Sequence, residues 1–266
     1  RSPRPGAGSQ NVCRRTDRST DSAADHRADR ATNLTTRSGT ISGGSYGVYN
    51  SVTMGDISNS GTIVGTSYYG IYNADTMGSL TNSGSISGGS YGVYSVTAIG
   101  DVTNSGSITA GTDALDNSGT IATLANSGTM RGERSGLANT GSINTLTNSA
   151  GAVIAGNAAA IANDGRITTL GNAGTLNAAN LGISNAGTLG NLNNSGAINA
   201  GSDGLANAST IATFTNSGTI AAGRNAIANS GAMGSIGNTG TITAVAAGLA
   251  NSGTVNGVTN IGKVHK

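Results

Sequence analysis

The groups in this 266-residue sequence that could do chemistry are a few aspartates, two histidines, one cysteine and seven tyrosines. A glycan-cleaving site needs two carboxylates roughly 5–10 Å apart. Asp113 and Asp116 are close in the chain, but no basic residue stands a full repeat away at the same position to pair with them. Asp113 and Asp203 occupy equivalent positions four coils apart, too distant to cooperate, whereas Asp56 and Asp101 share a position two coils, or about 10 Å, apart. Glu133 and Arg134 stand beside Arg131 in a glycine-bearing turn and read as a solvated charge pair. His26 and His265 are at opposite ends, so neither can join a serine in a triad. Cys13 stands alone, which excludes an intrachain disulfide and a thiolate zinc site. The expectation is a chain with no catalytic residues, no cofactor and no metal.

The tyrosines form a sharper pattern. All seven fall between Tyr46 and Tyr94, and six of them make two columns, Tyr46–Tyr69–Tyr91 and Tyr49–Tyr72–Tyr94. Exposed aromatic columns can stack on sugar rings or fill a partner's pocket, so these six are candidate ligand contacts. The alternative is that bulky ladders seal an end of a thin core. A further column (Thr40, Thr62, Ser85, Ser107, Thr129, Thr175, Thr219, Thr241) resembles an ice-binding face, although β-propensity explains it more simply.

These residues must be held by something other than a thick core. The chain has 44 Gly, one Phe and no Trp, and only 36% of it is hydrophobic, which leaves disordered chains and thin-cored repeat proteins. Residues 1–37 carry eight Arg and four Asp, whereas the rest is slightly acidic, so the repeats offer no basic face to nucleic acid. No apolar run is long enough to span a bilayer, and the start at Arg1 without a signal peptide suggests a fragment or processed product.

Spacing selects the repeat protein. From Asn104 to Asn260 the phrase Asn-x-Gly-x-apolar recurs at gaps alternating 13 and 9, broken by one 15 between Asn148 and Asn163. Upstream the rhythm runs through Arg37, Asn50, Asn59, Asn73, Asn82 and Ser95, with one gap of 14. Within each 22-residue period, four apolar positions repeat, as in Ile108, Leu115, Ile121 and Leu124. Gly and Asn density, β-branched residues and phrases such as Gly218–Ala221 favour short strands and turns over helices. The fold expected is all-β: a single-stranded, right-handed parallel β-helix of about ten 22-residue coils over residues 37–266. Its two Asn columns should form amide ladders. Residues 1–36 read as a disordered or capping segment, with a short helix possible over Asp21–Arg30.

The phrases Asn-Ser-Gly-Thr-Ile at Asn59 and Asn216, and Ile-Ser-Gly-Gly-Ser-Tyr-Gly-Val-Tyr at Ile41 and Ile86, resemble passenger repeats of bacterial autotransporters. The resemblance covers residues 37–266 and implies a pectate-lyase-type β-helix. It also implies an extracellular or cell-surface location, although the signal peptide and membrane barrel of such proteins are not visible here. The expected function is a non-catalytic stalk or adhesin-like passenger, with a host-surface protein or glycan as partner, no nucleic acid and no membrane insertion. The alternatives are a polysaccharide-binding or polysaccharide-cleaving β-helix using the tyrosines, and an ice-binding protein. Open strand edges at the coil ends also predict end-to-end self-association.

Overall fold

One turn of the chain explains how so few large side chains suffice. After Asn104 come three strands, Ser107–Ala110, Asp113–Asn117 and Thr120–Asn126, separated by two-residue turns. Ile108, Leu115, Ile121 and Leu124 point inward and are buried. None of these three strands pairs with its neighbour in sequence. Each pairs in parallel with the equivalent strand one coil before and one coil after. Backbone hydrogen bonds therefore run along the stack, and four apolar side chains per coil fill a narrow interior.

The computed structural model describes residues 26–28, 33–36 and 39–265, and every regular element in them is a strand. The chain is a parallel β-solenoid of about ten turns with three sheets, each of 11 strands. We call first the sheet containing Tyr46–Asn50 and Asp113–Asn117, second the one containing Thr120–Asn126, and third the one containing Ser107–Ala110. The stack reaches back before residue 37. His26–Ala28 pairs with Tyr46–Asn50, and Leu34–Thr36 pairs with Ile57–Asn59. The short helix expected over Asp21–Arg30 is thus replaced at His26–Ala28 by strand, because the 22-residue register His26↔Val48 continues there. Most of the remaining expectation for residues 1–36 lies outside the described residues.

Irregular spacings are absorbed in turns without disturbing the register. The longer gap after Asn148 becomes a turn in which Gly151 takes a φ of 80°, a left-handed conformation suited to glycine, and Val153–Gly156 still pairs with Thr129–Gly132. The extra residue after Asn59 falls within Thr66–Tyr68 and leaves Tyr68 52% exposed. In the Asn-x-Gly turns, coil lies so tightly on coil that a Cβ on Gly128 would sit 2.1 Å from the carbonyl oxygen of Gly106. Only glycine fits that approach.

Two buried asparagine ladders fix the register. In the second sheet, Nδ2 of Asn104 donates to Oδ1 of Asn126 at 2.8 Å and to the Thr129 carbonyl at 3.1 Å, and the same contact repeats from Asn59 to Asn260. In the first sheet, the ladder runs from Asn117 to Asn251. Its upstream part, Asn50–Asn73–Ser95, ends at a serine whose hydroxyl donates instead to the Thr97 carbonyl. Oδ1 of Asn117, fully buried, is left without a donor. Ser95→Asn supplies that donor and should stabilise the chain by about 1–2 kcal/mol, whereas Asn172→Ala in the intact ladder should cost about 2–4 kcal/mol. Denaturant titrations of the two variants against the parent check both signs.

Candidate functional site

Tyr46 and Tyr49 are three residues apart, a spacing that simple strand alternation places on opposite faces. A bend brings them to one face. At Gly47, and equally at Gly70 and Gly92, the backbone turns inward and is skipped in the pairing register. A Cβ on Gly92 would meet the Ala114 carbonyl at 2.5 Å and Ile108 Cγ2 at 2.6 Å. Each pair of tyrosines therefore flanks a buried Gly-apolar step and projects outward together, half-buried, over Val48, Ile71 and Val93. The rings lie outside the core, so they do not seal its end.

The six candidate contacts form one two-by-three lattice. Within a coil, the ring centroids of Tyr46–Tyr49, Tyr69–Tyr72 and Tyr91–Tyr94 are 5.1, 5.0 and 5.3 Å apart. Between coils, Tyr46–Tyr69 and Tyr69–Tyr91 are 5.5 and 5.4 Å apart, and Tyr49–Tyr72 and Tyr72–Tyr94 are 5.3 and 5.4 Å apart. Planes inclined by only 5–25° between coils make these offset stacks, so part of each ring face is covered by its neighbour. Burial first, and then the neighbouring phenols, push the Tyr69 and Tyr72 pKa values up.

One coil further, both columns change chemistry at once: Tyr91 is followed by Asp113 and Tyr94 by Asp116. Contrary to the sequence expectation, a basic residue does reach this pair. Arg134 of the next coil grips the buried Asp113 with two hydrogen bonds, Nε to Oδ1 at 3.0 Å and Nη2 to Oδ2. It is therefore not the partner of a solvated Glu133 pair. Arg224 holds Asp203 in the same way, helped by the backbone and side-chain nitrogens of Asn225. In both cases the arginine stands 21 residues after the aspartate, one short of the repeat, and a long side chain spans the difference. That repeated spacing was the available sequence signal. For Asp203, burial raises the pKa but the bonds from Arg224 and Asn225 outweigh it, and the net shift is downward.

Below Asp116 the same outer face is floored by Ala138, Ala162 and Ser184, and it opens into a groove of about 280 Å³ that Arg134, Asn139 and Asp164 also line. A second groove of about 460 Å³ continues from Ser184 past Arg224 to Ser252. Since the same column carries Tyr49, Tyr72 and Tyr94 upstream, the backbone tolerates large residues there, and the grooves result from small side chains.

Asp56 uses its Oδ1 to accept from the Ser79 backbone, a turn contact. His265 is exposed in the last strand, while the His26 side chain and Cys13 lie outside the described residues. Among the described residues, no group of three or more His, Cys, Asp or Glu side chains is placed to hold a metal, and no helix is long and apolar enough to cross a membrane. The Thr/Ser column from Thr40 to Thr241 faces outward on the third sheet. No family model, no curated protein and no solved structure matches the chain.

Burial, then the nearby Asp113 charge, pushes the Asp116 carboxyl from 3.8 up to about 6, with Arg134 opposing. Between those values the folded chain holds a proton that the unfolded chain has released, so stability should fall as pH rises through that window. Asp203, whose pKa is lowered, acts oppositely and at more acid pH. Asp116→Asn should remove a loss on the order of 1–2 kcal/mol between pH 4 and 7, after allowance for solvent screening. Urea midpoints for parent and variant at the two pH values check the sign: a parent that is more stable at pH 7 than at pH 4, with the variant unchanged, would contradict it.

Proposed function

We propose that this chain is a length of rigid, non-catalytic stalk of the autotransporter-passenger type, displayed outside a bacterial cell. The supporting observation is the continuity of the stack: each of three sheets runs unbroken through 11 strands, with insertions confined to turns. Such a rod needs only length, stiffness and a sparsely charged outer surface to hold something away from a membrane. Glycine turns and hydrogen-bonded amides, in place of disulfides, let it fold after crossing a membrane unfolded. At about 4.8 Å per coil, ten coils extend about 48 Å. Antibodies raised against the solenoid should label intact, unpermeabilised cells of its source, and protease added outside such cells should remove the label. Labelling only after permeabilisation would overturn the reading.

A second reading, glycan recognition, is favoured by the half-exposed tyrosine lattice and the grooved face that continues from it. Tyr side chains combine apolar area with a hydroxyl, which suits sugar rings. On this reading, Tyr49→Ala/Tyr72→Ala/Tyr94→Ala abolishes glycan-array signals given by the parent while the far-ultraviolet circular dichroism stays the same. Unchanged array binding would remove the lattice from recognition.

A further inference from the structure

The tyrosine lattice has a property that neither a stalk nor a glycan platform requires. All of the protein's seven tyrosines are concentrated in three consecutive coils, and Tyr69 at the centre has ring neighbours Tyr46, Tyr68, Tyr72, Tyr91 and Tyr94 within 5.0–6.1 Å. Between coils the rings are inclined by only 5–25°, with centroids 5.3–5.5 Å apart, so each phenol has an offset neighbour of similar plane in the next coil. The rings are half-buried: accessible to a small oxidant, yet held by the bends at Gly47, Gly70 and Gly92. With one cysteine in the sequence, an intrachain disulfide is unavailable to the chain.

We propose that the lattice is a site of oxidative tyrosine cross-linking, in which dityrosine bonds between adjacent coils staple the first three coils of the solenoid covalently. The co-reactant is a peroxide, with a haem peroxidase as catalyst. Each of two phenols gives up one electron and one proton to become a phenoxyl radical, and the two radicals couple through the ring carbons next to their hydroxyls. Two ring C–H bonds are lost and one C–C bond forms. The two electrons and two protons released reduce one hydrogen peroxide to two waters. The reaction favours partners within the lattice because a neighbouring ring is already in contact, at an effective concentration no second molecule in dilute solution can match. A bond between Tyr69 and Tyr91 closes a loop of one coil and restrains the unfolded chain as a disulfide would.

The test is to treat the dilute full chain with hydrogen peroxide and horseradish peroxidase, then read dityrosine fluorescence, intact mass and cross-linked peptides. The expected product is a monomer that has lost two hydrogens per cross-link, with links between coils such as Tyr69–Tyr91 and Tyr49–Tyr72. Tyr69→Phe/Tyr72→Phe keeps the stacked rings but removes both lattice phenols of the middle coil, leaving only Tyr68, whose one ring contact among the described residues is Tyr69. Links between coils should vanish in it, while Tyr46–Tyr49 and Tyr91–Tyr94 links persist. Tyr68→Phe should leave the product unchanged. Circular dichroism identical to the parent shows that the variants fold. Absence of dityrosine in the folded parent, products linking only separate molecules, or the same peptide pattern from chain unfolded in urea would each overturn the proposal.

Discussion

Everything in this molecule depends on each coil lying directly over the one before it, and the buried asparagine amide enforces that alignment. An amide carries both donors and acceptors, so identical residues can satisfy one another in an endless row. Here Nδ2 also reaches a backbone carbonyl of the next coil, as from Asn104 to Thr129 at 3.1 Å, and joins side-chain register to strand register. A buried amide without partners is costly, so a slip of one residue would orphan a whole column. The apolar columns alone would tolerate such a slip less selectively, since Ile, Leu, Val and Met substitute for each other freely along them. The core supplies the drive to collapse. The ladders choose the register.

Much of this was legible in the sequence because a solenoid converts spacing directly into contact. Positions 22 apart become neighbours, and the inward columns, the amide ladders and the tyrosine columns all follow from that single rule. What spacing could not reveal were departures from it at the level of one residue. The inward bend at Gly47, Gly70 and Gly92 joins two tyrosine columns into one lattice, although alternation along a strand separates them. Arg134 reaches Asp113 from a position one short of the period, through side-chain length that a positional comparison ignores. The strands before residue 37 were hidden because Arg27 and Thr36 lack the characters of their columns, although both strands pair in parallel with the coil that follows.

The coil step between Tyr91–Ser95 and Asp113–Asn117 divides the solenoid into two sorts of coil. Upstream, the second sheet has three-residue strands, Ile57–Asn59 and Leu80–Asn82, supplemented by isolated bridges from Met54 to Met77 and from Met77 to Ile99. From Ala98–Asn104, in the last tyrosine-bearing coil, onward, each first-to-second-sheet turn leads into a seven-residue strand. One coil after this lengthening, the step from Tyr91–Ser95 to Asp113–Asn117 ends the tyrosine lattice and interrupts one amide ladder, while the other ladder crosses it intact from Asn82 through Asn104 to Asn126. In a one-dimensional stack, where each coil senses only its neighbours, such a step is where cooperativity between two blocks is weakest. A covalent or ligand contact on the tyrosine block would therefore stabilise that block more than the rest.

The ladders also have a direction, and direction constrains assembly. Along both ladders Nδ2 donates toward the higher-numbered coil, so in these columns the upstream face of a coil offers acceptors and the downstream face offers donors. In the last described coil, the Asn251 amide nitrogen reaches only the Gly253 carbonyl of its own turn, beside Leu249, Val258 and Val264, which are 36%, 56% and 49% exposed. A coil added there completes both ladders only if it presents amide oxygens, as the upstream face of a like coil does. Two downstream faces brought together would set donor against donor over a shared apolar patch. Any stacking through this face is consequently head-to-tail, a heterologous contact that extends a rod and does not close a symmetric pair.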